Sequence, residues 1–383
     1  MEKKTSGIVK KKNYAARFDK IYDWMAGEGI ALLMLEDTEK RRDQSIRWLT
    51  GQPGDALLFL SVDRQTVLAA WDDNLARIYA AQAPVVIASY SDYDRKPCRA
   101  LAAVAQALKI PAGSKIEIPG VTPYPSFLNF VGELTHFDIL CRETGAVSYI
   151  DKLRAVKDEE ETAVMRKAAE ITNELIDSLE KNIRSGKIKT EADAALFIET
   201  ESRKKGCEGP SFGTLAAGPG RSFNIHAFPG WTMAPFGGQG LSILDFGVKL
   251  CGYCTDVTLT FARDPDAKQE KIIALVEKAY KLALSMAHNG TKARDIAAAV
   301  DALFAKSKKK MPHGLGHGVG LEEHEYPSIR NSSDNEWVLE SGMIFTIEPG
   351  LYDTLSGGCR LENDILITDA AADVLTSARI IRL

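Results

Sequence analysis

The stretch 241-LSILDFGVKLCGYCTDVTLTFARD-264 alternates between apolar and polar residues on both sides of a Cys-Gly pair. Because successive side chains of a β-strand point to opposite faces, this alternation predicts two strands that share one apolar face. That face takes Leu244, Phe246, Val248, Val257, Leu259 and Phe261. The other face takes Asp245, Gly247, Asp256, Thr258 and Thr260, provided that the turn near Leu250–Gly252 holds an even number of residues. The stretch therefore predicts an antiparallel hairpin with one face in a core and two aspartates on the other.

In this hairpin Asp245 and Asp256 would be opposite or diagonal neighbours, and directly opposed Cβ atoms lie about 4.5–5.5 Å apart. Two carboxylates that close repel each other in a partly buried site. They would share a proton, as a general acid/base pair does, or hold a cation between them. Two independent, exposed aspartates are the alternative, which the strongly apolar opposite face disfavours.

Two later stretches also carry carboxylates on predicted strands. In 342-GMIFTIEPG-350 an alternating strand ends at Glu348, just before Pro-Gly. In 359-CRLENDILIT-368 the side chains of Arg360, Glu362 and Asp364 share one face. A glutamate at the inner end of an apolar strand is unusual for a surface charge, and it adds a candidate site residue to the hairpin aspartates.

The stretch 313-HGLGHGVGLEEHE-325 holds His313, His317 and His324, which are three of the six histidines in the chain. Its alternating glycines superficially resemble a phosphate-binding loop, but no helix-opening pattern with a lysine or a ribose-binding acid follows. Glycines also let a backbone pass close to a crowded site. Histidines in such a stretch, together with unpaired strand carboxylates, predict a metal site.

These motifs, in this order, resemble the pita-bread metallopeptidases: Xaa-Pro dipeptidases (prolidases), Xaa-Pro and methionine aminopeptidases, and creatinases. The resemblance extends over the whole chain. It implies an α+β fold, with a creatinase/prolidase-like α/β domain over residues 1–150 and a pita-bread catalytic domain over residues 151–383. It also implies a homodimer.

The resemblance further implies a site for two divalent metal ions. The residues that match the ligands are Asp245, Asp256, His317, Glu348 and Glu362, with Asp256 and Glu362 as bridges. Those that match groups around the substrate are His226, His313, His324 and Arg360. A ligand set of four carboxylates and one imidazole suits Mn²⁺, our first choice, or Co²⁺ or Zn²⁺. The sequence departs from the family's usual residues at Leu259, Glu323 and Asn363.

The activity implied is metal-assisted hydrolysis of Xaa-Pro bonds in dipeptides or short peptides. Glu348 would be the general base, and His324 with His226 would stabilise the oxyanion or position the substrate. Three alternatives stay open: an Xaa-Pro aminopeptidase acting on longer peptides, a metal-free amidinohydrolase like creatinase, and a non-catalytic binding module. The intact ligand set disfavours the last two.

The composition is that of an ordinary globular protein, with 45% hydrophobic and 26% charged residues. A formal net charge of -4 gives no electrostatic footprint for nucleic acid. The apolar runs are too short to cross a membrane, and the lysine-rich residues 1–12 lack the apolar segment of a secretion signal. We therefore expect a cytoplasmic protein with reduced cysteines, in which 251-CGYC-254 is a hairpin turn and not a metal or redox pair.

The remaining pattern predicts the order of elements. Before residue 150 we expect strands at 31–35, 56–62, 66–71 and 84–90, a hairpin turn at 63–65 and a helix at 98–110. After it we expect a long helix that is capped near Asp158 and ends at Gly186. Further helices are expected near 190–205, 266–288 and 292–308, and strands within 240–262 and 342–368. Helices and antiparallel hairpins in separate runs indicate an α+β domain.

Overall fold

The computed structural model describes residues 14–383, so the lysine-rich stretch 1–12 lies outside the described residues. The described chain forms two compact units, one ending at Leu153 and the other running from Arg154 to Leu383. This division falls close to the one predicted after residue 150. Across residues 14–383, no helix is both long enough and apolar enough to cross a membrane.

The first unit is built on one mixed six-stranded sheet in the order β4-β3-β2-β1-β5-β6. Its strands are β1 Ile30–Asp37, β2 Ala56–Ser61, β3 Thr66–Ala70, β4 Val86–Ser89, β5 Lys115–Ile118 and β6 Asp138–Cys141. Its helices are α1 Tyr14–Glu28, α2 Ser45–Thr50, α3 Asp73–Tyr79, α4 Pro97–Ala107, α5 Tyr124–Glu133 and α6 Ala146–Arg154, and a 3₁₀ turn spans Tyr90–Tyr93.

The sequence predicts β1 to β4 and α4 correctly. The turn at 63–65 joins β2 to β3 as an antiparallel hairpin, as expected. The sequence does not predict two strands of this sheet: β5, which pairs in parallel with β1, and β6, which pairs in parallel with β5. Both have only four residues, too few for alternation to stand out from the surrounding chain.

The second unit contains four helices and fourteen short strands among the described residues. The helices are α7 Glu159–Arg184, α8 Glu191–Lys204, α9 Ala267–Met286 and α10 Ala293–Lys306. The first seven strands are β7 Gly209–Pro210, β8 Leu215–Ala217, β9 Gly240–Phe246, β10 Val248–Leu250, β11 Tyr253–Cys254, β12 Val257–Arg263 and β13 Gly316–Gly318. The others are β14 Glu325–Ile329, β15 Ile344–Ile347, β16 Gly350–Asp353, β17 Gly357–Arg360, β18 Asn363–Ile367, β19 Ala372–Val374 and β20 Ile380–Arg382.

Helix α7 begins and ends where its sequence signals place it. Asp158 accepts a hydrogen bond from the Glu161 backbone N–H at 2.8 Å, and the Glu161 carboxylate accepts one from the Asp158 N–H at 2.9 Å. This reciprocal capping satisfies two backbone donors that the first turn leaves free. Just after the helix, Gly186 adopts a φ of 72°, a conformation that few other residues adopt without strain.

The hairpin of β9 to β12 confirms the predicted faces. Asp245 pairs with Thr258 and Phe246 pairs with Val257, and every residue of the predicted apolar face lies in the main core of the second unit. The turn is Cys251–Gly252, with φ of 49° and 90°. Two positive φ values in a two-residue turn match the right-handed twist of the strands that it joins.

Two sheets of the second unit carry the candidate site. One is mixed and has the order β20-β12-β9-β8, with β20 parallel to β12, and the other is antiparallel and has the order β14-β13-β15-β18-β19. They meet where Thr258 of β12 forms an isolated bridge with Glu362, which precedes β18. Helices α7 to α10 cover the apolar sides of these sheets and share their core. The polar sides are left to face the candidate site.

Candidate metal centre

The five predicted ligands come from five separate segments and converge on one place. Asp245 belongs to β9, Asp256 precedes β12, His317 lies in β13, Glu348 follows β15, and Glu362 lies between β17 and β18. Ligand atoms of Asp245, Asp256 and Glu362 all lie within 4.8 Å of one another, and so do those of His317, Glu348 and Glu362. These two overlapping triads share Glu362.

The hairpin places Asp245 and Asp256 as diagonal neighbours, since Thr258 is the residue directly opposite Asp245. Between them Gly247 is required, because a Cβ atom there would lie 1.7 Å from the Thr255 carbonyl oxygen. The backbone N–H of Asp256 donates to both oxygens of Asp364, at 3.3 and 3.2 Å. Burial, followed by repulsion from Glu362 and Asp245, raises the pKa of Asp256 well above its usual value.

His317 presents its Nε2 atom to the carboxylates. Its Nδ1 lies 3.0 Å from the Gly318 carbonyl oxygen and so carries the hydrogen of the neutral ring. The Nε2 atom, which then carries a free lone pair, lies 3.7 Å from Asp256 Oδ2 and 3.7 Å from Glu348 Oε1. Burial, with the adjacent His324, lowers the pKa of His317 to about 4. A neutral imidazole with a free Nε2 is the form that binds a metal.

The glycines around His317 allow this approach, as the sequence predicts. A Cβ atom on Gly316 would lie 1.9 Å from the Thr346 carbonyl oxygen, and one on Gly318 would lie 1.9 Å from that of Tyr326. Strand β13 can therefore lie between β14 and β15 only with glycine at both positions.

Glu348 and Glu362 complete the cluster from the second sheet. Thr258 Oγ1 donates to Glu362 Oε2 at 2.7 Å, which fixes this carboxylate across the junction of the sheets. Burial raises the pKa of Glu362 to about 7, and Asp245 adds to the rise. Burial and repulsion by Glu362 raise the pKa of Glu348 as well. Without a counter-charge, the protein thus favours protonated carboxyl groups at this place.

The donor set fits divalent cations. Asp245 Oδ1 is buried and has no hydrogen-bond partner within the described chain, although a buried carboxylate oxygen normally has one. Among the described residues that line the cavity, Arg360 is the only Lys or Arg beside these four carboxylates, and it binds the other oxygen of Asp245 at 2.5 Å. Two divalent ions would balance the four negative charges and occupy the unpaired Asp245 oxygen. The assignment of individual ligands stays a prediction.

Arg360 is held by a buried network behind the carboxylates. Its Nε donates to Thr258 Oγ1 at 2.9 Å, and its Nη1 donates to Tyr352 Oη at 2.8 Å. Tyr352 in turn lies 3.0 Å from His313 Nε2, and His313 Nδ1 lies 2.7 Å from the Gly314 carbonyl oxygen. Burial, with Arg360 and His226 nearby, lowers the pKa of His313 to about 4. His313 is therefore a neutral acceptor for the Tyr352 hydroxyl.

All the predicted substrate-side residues line one cavity of about 420 Å³ together with the metal-site residues. This volume is in the range typical of small-molecule sites. His226 and His324 are exposed, as groups that meet a substrate must be. His324 lies closer to the metal site than expected: its ring centroid is 4.2 Å from that of His317, and it forms a further triad of possible ligands with Asp256 and His317.

Sequence reasoning did not identify Tyr352 or the contact between Asp364 and the Asp256 backbone. The parity of 359–368 does place Asp364 on the face of Glu362, whereas Tyr352 belongs to the short hairpin of β16 and β17 and carries no comparable signal. The unusual Asn363 has a structural task. Its Oδ1 accepts a hydrogen bond from the Ala378 N–H at 2.7 Å and another from Thr376 Oγ1 at 3.1 Å. Leu259, the second unusual residue, packs in the core.

Known proteins resemble this chain in both sequence and structure. It is 33% identical to a putative dipeptidase of Bacillus subtilis over 252 residues, which cover 63% of this chain and 68% of that protein. It is 35% identical to an Xaa-Pro dipeptidase of Pyrococcus furiosus over 234 residues, or 59% of this chain and 64% of that one.

Among solved structures, a prolidase from Thermococcus sibiricus superposes with a TM-score of 0.81 at 25% identity, covering 98% of this chain and 100% of that one. An Xaa-Pro dipeptidase from Bacillus anthracis superposes with a TM-score of 0.82 at 24% identity, covering 97% and 100%. These likenesses confirm the predicted architecture, an α/β sheet domain followed by a pita-bread catalytic domain. The sequence profile of metallopeptidase family M24 matches residues 163–369, more than half of the chain, and the protein belongs to that family.

Proposed function

We propose that this protein is a prolidase-like peptidase that uses two divalent metal ions to hydrolyse Xaa-Pro bonds in dipeptides and short peptides. The observation that carries the proposal is the cluster of Asp245, Asp256 and Glu362 donor atoms within 4.8 Å, on the wall of a cavity that a dipeptide can enter. Asp245 Oδ1, buried and unpaired within the described chain, supports a cation at this place.

The residues of the chain take distinct tasks in the proposed reaction. Bound in this site, the metal ions would polarise the scissile carbonyl and activate the attacking water. Asp245, Asp256, His317, Glu348 and Glu362 would hold them. Glu348 would also accept the proton of the attacking water and deliver it to the leaving nitrogen.

His324 and His226 are the proposed stabilisers of the oxyanion, because both line the cavity and are exposed to it. Arg360 would orient Asp245, and with His313, to which Tyr352 connects it, it would form a rigid polar wall against the substrate. That wall is supported by the chain of hydrogen bonds from Arg360 through Tyr352 to His313.

The preference for Xaa-Pro bonds is supported by relatives such as the Xaa-Pro dipeptidase of Pyrococcus furiosus. Peptidases that bind substrates as an added strand need a backbone N–H at each residue, and proline has none.

Mn²⁺ is the proposed metal, with Co²⁺ or Zn²⁺ as alternatives, because the donors are mainly carboxylate oxygens. A homodimer in the cytoplasm completes the proposal, and six free cysteines support a reducing compartment.

The test is the release of proline from Ala-Pro and of alanine from Ala-Pro-Ala by protein reconstituted with Mn²⁺, beside a chelated control. Metal-dependent cleavage of both peptides, with Ala-Pro cleaved faster than Ala-Pro-Ala, is the expected result. Faster cleavage of the tripeptide would make the protein an Xaa-Pro aminopeptidase. No cleavage of either would contradict the proposal and favour a creatinase-like or binding role, and a measurement of bound metal separates both of these from a metallopeptidase.

A further inference from the structure

Three glutamates between residues 322 and 325 have different surroundings. Glu322 Oε2 accepts a hydrogen bond from Arg154 at 2.8 Å. The Glu325 side chain is buried and pairs with Arg154 and with Lys157, whose Nζ lies 3.2 Å from Glu325 Oε2. Glu323, between them, lines the cavity of the candidate metal centre.

Among the described residues, the Glu323 carboxylate has no partner of its own. Within residues 14–383, no hydrogen bond or ion pair to this side chain is formed, and it belongs to none of the three triads of possible metal ligands. Arg360, the one Lys or Arg side chain among the described cavity-lining residues, is engaged by Asp245 and Tyr352. The negative charge of Glu323 is therefore neutralised neither by the protein nor by the metal site.

Glu323 also lies on a particular part of the cavity wall. Its carboxylate acts electrostatically on Cys254, two residues before Asp256, and the next residue, His324, packs against the ring of His317. His313 instead interacts with Arg360 and His226. One part of the wall thus offers an unpaired carboxylate, and another offers an arginine with histidines. A short peptide has a carboxylate at its C-terminal end, and Glu323 repels this group, so the N-terminal residue of the peptide lies nearer to Glu323.

We propose that Glu323 is a specificity-determining residue that selects peptides with a lysine or arginine side chain immediately before the scissile bond. This inference rests on the proposed peptidase function and names its substrate class. A side-chain cation would pair with Glu323 in a half-buried setting, where a hydrogen bond between charged groups is worth more than in open solvent. The usual apolar residue of the family at this position could not form such a pair.

The test compares Lys-Pro with norleucyl-Pro, which has the same side-chain length without the amine, so that only the side-chain charge differs. With the Mn²⁺-loaded wild type we expect kcat/KM for Lys-Pro to exceed that for norleucyl-Pro by about five- to tenfold, mainly through KM. This ratio should fall as salt is raised, because part of the interaction is solvent-exposed.

Variants assign the effect to Glu323. Glu323→Gln should bring the ratio of kcat/KM for Lys-Pro to that for norleucyl-Pro close to one. Glu323→Lys should lower this ratio below one and should cleave Glu-Pro better than Lys-Pro. Glu322→Gln, a change of the same kind in the residue next to it, is the matched control and should keep the wild-type ratio. A readout without turnover is the rise in Tm caused by lysinamide compared with norleucinamide, which we expect in the wild type and not in Glu323→Gln.

The outcomes separate this inference from the function on which it rests. Equal rates for Lys-Pro and norleucyl-Pro, or a ratio that Glu323→Gln leaves unchanged, would overturn the specificity role while cleavage itself keeps the peptidase function intact. An absence of cleavage for these dipeptides and for Ala-Pro, with metal bound, would overturn both.

Discussion

At the scale of single residues, the candidate site is defined by charges that the fold buries without compensating them. Asp256, Glu348 and Glu362 all have raised pKa values because burial and mutual repulsion disfavour their ionised forms. A folded protein tolerates such a group when a bound cation offsets the free-energy cost of burying its charge. The cluster of buried carboxylates therefore lowers the stability of the folded protein and provides a place for a cation, which is typical of a functional site.

Glu348→Gln separates the two tasks proposed for this residue. The amide keeps an oxygen that can face a metal ion but cannot take a proton. We expect bound metal, measured by elemental analysis, to be retained at least in part, and kcat for Ala-Pro to fall by about 10²- to 10⁴-fold. Glu336→Gln, an exposed glutamate of the same unit, should keep wild-type turnover. Near-wild-type kcat in Glu348→Gln would remove it as the general base.

Asp37 in the first unit gives a prediction on pH. Its carboxyl group is buried, Oδ2 has no hydrogen-bond partner among the described residues, and burial raises the pKa of Asp37 to about 6. In the unfolded chain the value is about 3.9. Between these two values the folded state holds a proton that the unfolded state has lost, so this group lowers stability as pH rises from about 4 to about 6.

Asp37→Asn should therefore gain stability relative to wild type as the pH increases. The gain between pH 4 and pH 7 should be at most about 3 kcal/mol. The measurement is the free energy of unfolding in urea at both pH values. Asp55→Asn is the control, because Asp55 also pairs with Arg42, at 2.9 Å, but its side chain is 43% exposed. Identical pH dependence in Asp37→Asn and wild type would contradict the assignment.

At the scale of elements, the segment between β8 and β9 that carries His226 is tied to helix α8 by one buried residue. Glu191 lies in the first turn of α8 and is fully buried. One of its oxygens accepts from the Gly218 N–H at 2.8 Å, and the other accepts from Arg221 at 2.7 Å and from the Thr232 N–H and hydroxyl at 2.8 and 2.7 Å. These donors stand on both sides of His226, so the carboxylate closes the segment into a loop.

Glu191→Gln should loosen this loop. An amide cannot accept all four hydrogen bonds, and one of its atoms would face a donor. We expect a loss of about 1–3 kcal/mol in the free energy of unfolding and a rise in KM for Ala-Pro larger than the fall in kcat. Glu199→Gln on the same helix, whose side chain is 38% exposed, should change neither. An unaltered KM together with lowered stability would make Glu191 a purely structural residue.

At the scale of the whole molecule, the metal site joins segments that are far apart in the chain. Asp245 lies in β9 of one sheet and Glu362 directly precedes β18 of the other, more than a hundred residues later, yet their oxygens meet within 4.8 Å. Bound ions would hold the two sheets together and remove the repulsion between their carboxylates. Metal binding should therefore contribute to folding stability as well as to catalysis.

Chelation should lower the melting temperature of the second unit. A metal at about 1,000 times its dissociation constant stabilises by about 4 kcal/mol, which corresponds to roughly 10 °C for a unit of this size. Calorimetry with EDTA, and again after Mn²⁺ is restored, measures this difference. Asp245→Asn, which removes a charge from the cluster, should show a smaller shift. Equal melting temperatures with and without chelator would argue against a metal site.

Features that depend on neighbouring residues can be predicted from the sequence. Alternation determines the faces of β9 and β12, and with them the shared side of Asp245 and Asp256. The capping pattern at Asp158 determines where α7 begins. Resemblance in the order of the motifs supplies the remaining candidate ligands, which no local pattern could bring together.

Only the tertiary structure decides which distant segments meet. It joins Thr258 to Glu362, Asp364 to the Asp256 backbone, and Tyr352 to Arg360 and His313. It also leaves Glu323 facing the cavity with no hydrogen-bond or ion-pair partner among residues 14–383. Strand alternation and helix caps arise from contacts within a few residues, so a short stretch of sequence is enough to predict them. Distances between segments a hundred residues apart depend instead on how the sheets and helices pack, and no local pattern contains that information.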